Sequence, residues 1–80
     1  MKISAYLERY PISGVLQTED HEHFTVEVYR SGILIFRIAG TIGEVFRKAS
    51  AHGQLVRMTV EKLFRLYGHK YLEEKYGTGI

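Results

Sequence analysis

Glu19-Asp20-His21-Glu22-His23 is the densest run of side chains with chemical potential in this chain. Imidazole and carboxylate are ligands for zinc and other divalent cations. On an extended strand His21 and His23 would project to the same side. A tight site needs three or four converging ligands, and here a helix would have to bring in His52 or His69. The run therefore reads as a solvated acidic turn, and no metal or other cofactor is expected. The chain has no cysteine, which excludes a disulfide scaffold, a thiolate zinc site and a cysteine nucleophile. No Ser-His-Asp grouping, phosphate loop or dinucleotide fingerprint is visible. No pair of carboxylates stands in an apolar setting that would split their pKa values. The expectation is a binding domain, not an enzyme, with no small-molecule substrate.

The cations form two groups. Arg47 and Lys48, with His52, lie off the apolar face of one expected helix; Lys62 and Arg65, with His69, lie off that of a second, and Arg57 falls between them. With the helices side by side, Arg47, Lys48, Arg57, Lys62 and Arg65 would merge into one phosphate-attracting surface. Charge along the chain points the same way. Residues 1–29 carry two basic and five acidic side chains, net −3, and residues 30–80 nine basic and four acidic, net +5. Excess positive charge attracts polyanions.

Two stretches resemble RNA-binding families. Gly40-Thr41-Ile42-Gly43, followed by Glu44-Val45-Phe46-Arg47-Lys48-Ala49, resembles the GxxG loop of K-homology domains, which lies against a nucleic-acid backbone. That family's loop joins two helices and is commonly basic in its middle, whereas a strand is expected before this one. Tyr6 to Phe64 loosely resembles the helix, three strands, helix order of double-stranded RNA-binding domains, with Phe24–Tyr29 similar to the second strand. That family's lysine-rich start to the last helix is missing, so no binding residues carry over. A helix-turn-helix with Ala49 and Gly53 at its small-residue and turn positions would place Lys48, His52, Gln54, Thr59 and Lys62 in its core, and is rejected.

The elements that position these groups follow from hydrophobic period. Phe24, Val26 and Val28 alternate with Thr25, Glu27 and Tyr29, and Leu34, Phe36 and Ile38 with Ile33, Ile35 and Arg37. Two strands follow. A two-residue Ser31-Gly32 turn would pair Glu27 with Phe36 and mix the faces. A three-residue Arg30-Ser31-Gly32 loop gathers Phe24, Val26, Val28, Leu34, Phe36 and Ile38 on one face. Tyr29, Ile33 and Ile35 then mark the outer face as a protein interface, with Tyr71 as a second candidate. Ser13–Thr18 adds a third strand, with Val15 or Leu16 facing the core. Residues 2–10 fit both a strand (Ile3, Ala5, Leu7) and a helix (Ile3, Tyr6, Leu7, Tyr10), ended by Pro11; the reading adopted is a short helix after Ser4.

Thr41-Ile42-Gly43-Glu44 has capping-box form, with Ile42, Val45, Phe46 and Ala49 on one helical face and Gly53 as a stop. Thr59 would cap a second helix whose stripe is Val60, Leu63, Phe64, Tyr67, Tyr71 and Leu72; Gly68 weakens it by about 1 kcal/mol relative to alanine. Residues 77–80 are expected to fray.

The expected architecture is one α+β domain over residues 1–80. A three-stranded antiparallel meander carries two C-terminal helices on one face. At 80 residues, 45% hydrophobic and 25% charged, such a domain buries about 60% of its unfolded surface. It would be stable by on the order of 3–5 kcal/mol unless it oligomerises. The longest apolar run is Ile33–Phe36, and Glu8 and Arg9 interrupt any leader-like segment, so a cytoplasmic protein that spans no membrane is expected. Function then has two readings. One is nucleic-acid binding through the five cations. The other is a protein-interaction module or small inhibitor or adaptor of the kind phages encode, homodimeric through the apolar outer sheet face.

Overall fold

The computed structural model describes residues 2–77. Strands β1 (Ile3–Arg9), β2 (Ile12–Thr18), β3 (His23–Arg30) and β4 (Ile33–Thr41) form one antiparallel sheet in chain order, followed by helices α1 (Ile42–His52) and α2 (Gln54–Tyr76). The α+β class and the packed C-terminal helices match the sequence reading, but there are four strands, not three. Residues 3–9 form a strand where a short helix was expected. Ile3 and Ala5 are buried and Tyr6 beside them is 60% exposed, so the period of two prevails. A strand here pairs its whole length with β2, from Ile3↔Thr18 to Arg9↔Ile12. An isolated helix of this length would be marginal. Of Val15 and Leu16, it is Leu16 that is fully buried.

The hairpin of β3 and β4 turns on Ser31 and Gly32 alone, not on the three-residue loop expected. Their φ values of 52° and 80° have the signs of a type I′ turn, which matches the twist of a hairpin and which glycine adopts at no steric cost. The two-residue turn avoids mixing the faces because the register shifts. Tyr29 pairs with Leu34, but Val28 pairs with Phe36, and Ile35 is the extra residue of a bulge. The bulge returns Phe36 to the core side opposite Val28. It also corrects two placements: Leu34 is exposed, and Ile35 packs against the core.

Both helices cover one sheet face. Ala5, Leu16, Val26 and Val28 from the sheet meet Val45, Ala49, Val56, Val60 and Leu63 from the helices. Leu16 and Leu63, fully buried, each contribute about 1.5–3 kcal/mol of hydrophobic stabilisation. An aromatic seam joins the layers: Phe24 meets Phe64 edge-on at 5.0 Å and Tyr67 at 5.2 Å, and Phe64 stacks on Phe46 at 5.1 Å.

Thr41 caps α1 as expected. Its Oγ1 accepts the Glu44 N–H at 3.3 Å, and the Glu44 carboxylate accepts the Thr41 N–H at 3.0 Å. Gly53 ends α1, but α2 starts at once, at Gln54. Thr59 is not a cap; it is buried inside α2 with its hydroxyl donating to the Leu55 carbonyl at 2.8 Å, a back-bond that satisfies the group within the helix. Nothing in Gln54–Met58 breaks a helix, and burying Val56 rewards its extension. Arg57 therefore belongs to α2, its N–H donating to the Gly53 carbonyl at 3.0 Å. Gly77 ends α2, its N–H donating to the Glu73 carbonyl; residues 78–80 of the tail expected to fray lie outside the described residues. No helix among the described residues is long and apolar enough to cross a membrane.

Candidate functional site

The acidic turn between β2 and β3 is built around Asp20. Its Oδ1 accepts the N–H groups of Glu22 at 2.9 Å and His23 at 2.8 Å, and its Oδ2 lies 2.8 Å from His23 Nδ1. The His23 N–H, then its ring, then the Glu22 N–H hold the Asp20 carboxyl far below the usual carboxylate range. The same Asp20 contact raises the His23 imidazole above its ordinary value. His21 and His23 do not project together as an extended strand would have them. His21 has φ 62°, which turns its ring away from the acids and onto α2, where Nδ1 lies 2.8 Å from Tyr67 Oη and the ring meets Tyr71 edge-on at 4.6 Å. Asp20, Glu22 and His23 keep ligand atoms within 4.8 Å of one another, all exposed. Hydrogen bonds account for the closeness of Asp20 and His23, whereas Glu22 joins the turn through its backbone N–H.

The five candidate cations all sit on the helices. Arg47, Lys48, Arg57 and Arg65 are exposed and Lys62 is half-buried. A helix turns roughly 100° per residue, so Arg47, two residues past buried Val45, and Arg65, two past buried Leu63, both point away from the sheet. Phe46 and Phe64 stack on one another, which brings the turns carrying Arg47 and Arg65 together. Lys48 leaves α1 on the flank away from α2. Arg57 and Lys62 leave α2 roughly 140° apart. Arg57 pairs with Glu61 at 3.6 Å, whereas Lys62 lies over β1 beside Leu7, Arg9, Ile12, Leu55 and Met58. Arg47 and Arg65 thus share the outer side of the helical layer, Arg57 lies on the flank of α2 that faces α1, Lys48 lies on the far flank of α1, and Lys62 stands apart on the β1 side. Between residues 42 and 69 the only carboxylates are Glu44, engaged in the cap, and Glu61, engaged by Arg57.

The candidate interface residues do not share one surface. Ile33 is 69% exposed beside the hairpin turn. Tyr29 is half-buried, its hydroxyl donating to Glu27 Oε1 at 3.1 Å, and Glu27 Oε2 lies 3.3 Å from Arg37 Nε. Ile35 is packed inward by the bulge. Tyr71 lies on the other layer, against His21.

The sequence reading missed the cleft where α2 runs antiparallel to β1. Leu55, Met58 and Lys62 border Leu7, Arg9 and Ile12 at one end, and Lys70, Glu73 and Glu74 border Lys2, Ile3 and Ser4 at the other. Lys70 Nζ donates to the Ser4 carbonyl at 2.7 Å. Leu55, Met58 and Leu66 recur along α2 at helical spacing, and this was a legible signal. Its meaning depended on a strand lying beneath it.

The GxxG segment is a strand-to-helix junction, with Gly40 in β4 and Gly43 in α1, not a loop between helices. The element order is also not that of a double-stranded RNA-binding domain. No protein-family model, curated protein or solved structure matches the chain.

Proposed function

We propose that this chain is a non-enzymatic domain that binds a nucleic-acid backbone with its helical layer. Arg47, Lys48, Arg57 and Arg65 are the contacting side chains. The observation that carries this reading is the state of the charges on that layer. Arg47, Lys48 and Arg65 make no ion pair with any described residue, while both carboxylates between residues 42 and 69 are already engaged. Cations left without protein partners across one layer suit backbone recognition, and they carry affinity without sequence preference. The band is short, so the expected affinity is modest.

Fluorescence anisotropy with labelled single- and double-stranded RNA and DNA, at about 50 and 200 mM salt, tests it. Binding should weaken steeply with salt. The double change Arg47→Glu/Lys48→Glu should lower affinity and reduce the salt slope by about two, close to one for each phosphate no longer neutralised. No binding at the lower salt with micromolar protein, or a double variant with unaltered affinity and slope, rules the reading out.

A further inference from the structure

The cleft between α2 and β1 has three properties that bear on a ligand. Its floor and walls are apolar: Leu7 and Ile12 below, with Leu55 (44% exposed) and Met58 (43% exposed) above. At this end Arg9 and Lys62 stand at the rim with no acidic residue beside them, and neither cation is in an ion pair with a described residue; Glu73 and Glu74 line the far end, next to Lys2 and Lys70. It also opens onto a strand edge. β1 pairs with β2 alone, so every second residue turns its N–H and C=O outward. The Ser4 carbonyl, taken by Lys70, identifies the outward set as Ser4, Tyr6 and Glu8. Lys70 closes that edge at Ser4 and leaves Tyr6 and Glu8 open, beside the apolar cleft.

We propose that this cleft takes a short extended segment of an acidic partner protein. The segment pairs with the outward N–H and C=O groups of Tyr6 and Glu8 as an added strand. It places one large aliphatic or aromatic side chain between Leu7, Ile12, Leu55 and Met58, and its carboxylates meet Arg9 and Lys62. The rim cations call for an acidic occupant. A second copy paired antiparallel through β1 would bring Lys70 as well as Glu73 and Glu74 towards Lys62, a mixed set of charges and not an acidic one. A nucleic acid has no use for the strand edge. An acidic strand satisfies the edge, the cleft and the rim together.

The test is selection of random peptides, long enough to pair with β1, on the immobilised full chain, followed by ¹⁵N-resolved titration of the full chain with a selected peptide. Selected peptides should carry Asp or Glu around one large apolar residue. They should shift the amides of Tyr6, Glu8 and the Leu55–Lys62 turn. Arg9→Glu/Lys62→Glu should weaken their binding at least tenfold and leave thermal unfolding in place, since neither side chain has a protein partner to lose. Arg47→Glu/Lys48→Glu should leave peptide binding unchanged, so this proposal and the nucleic-acid one fail separately. No enriched peptides, enrichment of basic ones, shifts confined to β4 or the helical outer face, or indifference to Arg9→Glu/Lys62→Glu would each overturn it. So would amide shifts at Tyr6 and Glu8 that follow protein concentration without peptide, which would make the occupant a second copy.

Discussion

His21 Nδ1 and Tyr67 Oη lie 2.8 Å apart and join residues 46 positions apart in the chain. This bond pins the β2–β3 turn to the middle of α2, and the Tyr67 ring continues inward to meet Phe24. Burial, then the neighbouring Tyr71 and Asp20, raise the Tyr67 hydroxyl above its ordinary pKa, which keeps it protonated and able to donate. Tyr67→Phe keeps the ring against Phe24 and deletes the bond. It should cost about 0.5–1.5 kcal/mol in urea unfolding and free the His21 ring, seen as altered imidazole shifts. Unaltered stability together with unaltered His21 shifts would show that the bond contributes nothing.

Gly14 sits under α2 on buried β2. A Cβ there would stand 2.9 Å from Leu63 Cδ1, 3.3 Å from the Glu27 carbonyl and 3.4 Å from Thr59 Cγ2. Gly14→Ala should destabilise by about 1–3 kcal/mol through overpacking, despite the better strand propensity of alanine. A stabilised variant in chemical denaturation would mean that Leu63 repacks without strain.

The Thr41–Glu44 box starts α1 directly from β4. Thr41→Ala removes the acceptor for the Glu44 N–H and should cost about 1 kcal/mol, with amide exchange faster in the first turn of α1 than in α2. Thr41→Ser should retain most of the stability; equal losses for both variants would point to the threonine methyl instead.

The Asp20–His23 pair makes the acidic turn pH-dependent in two directions. His23 is raised, so its contribution is complete below its ordinary 6.5 and lost as pH climbs through the higher folded value. Asp20 is lowered, so its contribution is complete above its ordinary 3.8 and lost as pH falls towards the folded value. The turn is therefore firmest between pH 3.8 and 6.5. Both groups are exposed, so the readout is local. The NMR titration of His23 should have its midpoint above 6.5, and Asp20→Asn should move that midpoint down. A native midpoint at or below 6.5 would contradict the pairing.

Local signals in the sequence were legible and distant ones were not. The Thr41 cap and the Gly53 stop each depend on a few adjacent residues, and both stand in the structure as read. The β3–β4 hairpin was legible as two strands, but its register was not. A bulge at Ile35 costs little, and only the packed sheet decides that Phe36 should face Val28. Residues 3–9 fitted two periods, and the availability of β2 as a partner settled the matter. That one error hid the cleft, because Leu55 and Met58 gain a purpose only when Leu7 lies on a strand beneath them. The separation of Arg57 from Lys62 was implicit in their spacing, yet what each faces was not. His21 on Tyr67 had no local trace, since it requires a left-handed backbone at a non-glycine residue.

The path of the chain through the sheet has a consequence for how it is made. Each strand pairs with its neighbour in sequence, so the sheet can assemble by short-range closures as residues emerge. The exception is the packing of α2 on β1, which brings Met58, Thr59 and Lys70 back to the first strand and closes nearly the whole length of the chain. Such a contact carries the largest loop-closure cost in the chain. Without it, Ala5, Leu16 and Val28 lie on a sheet face that α2 does not cover. A chain stopped after α1 would keep its hairpins and lack the cover they need, so truncation there should yield aggregation before it yields a less stable monomer.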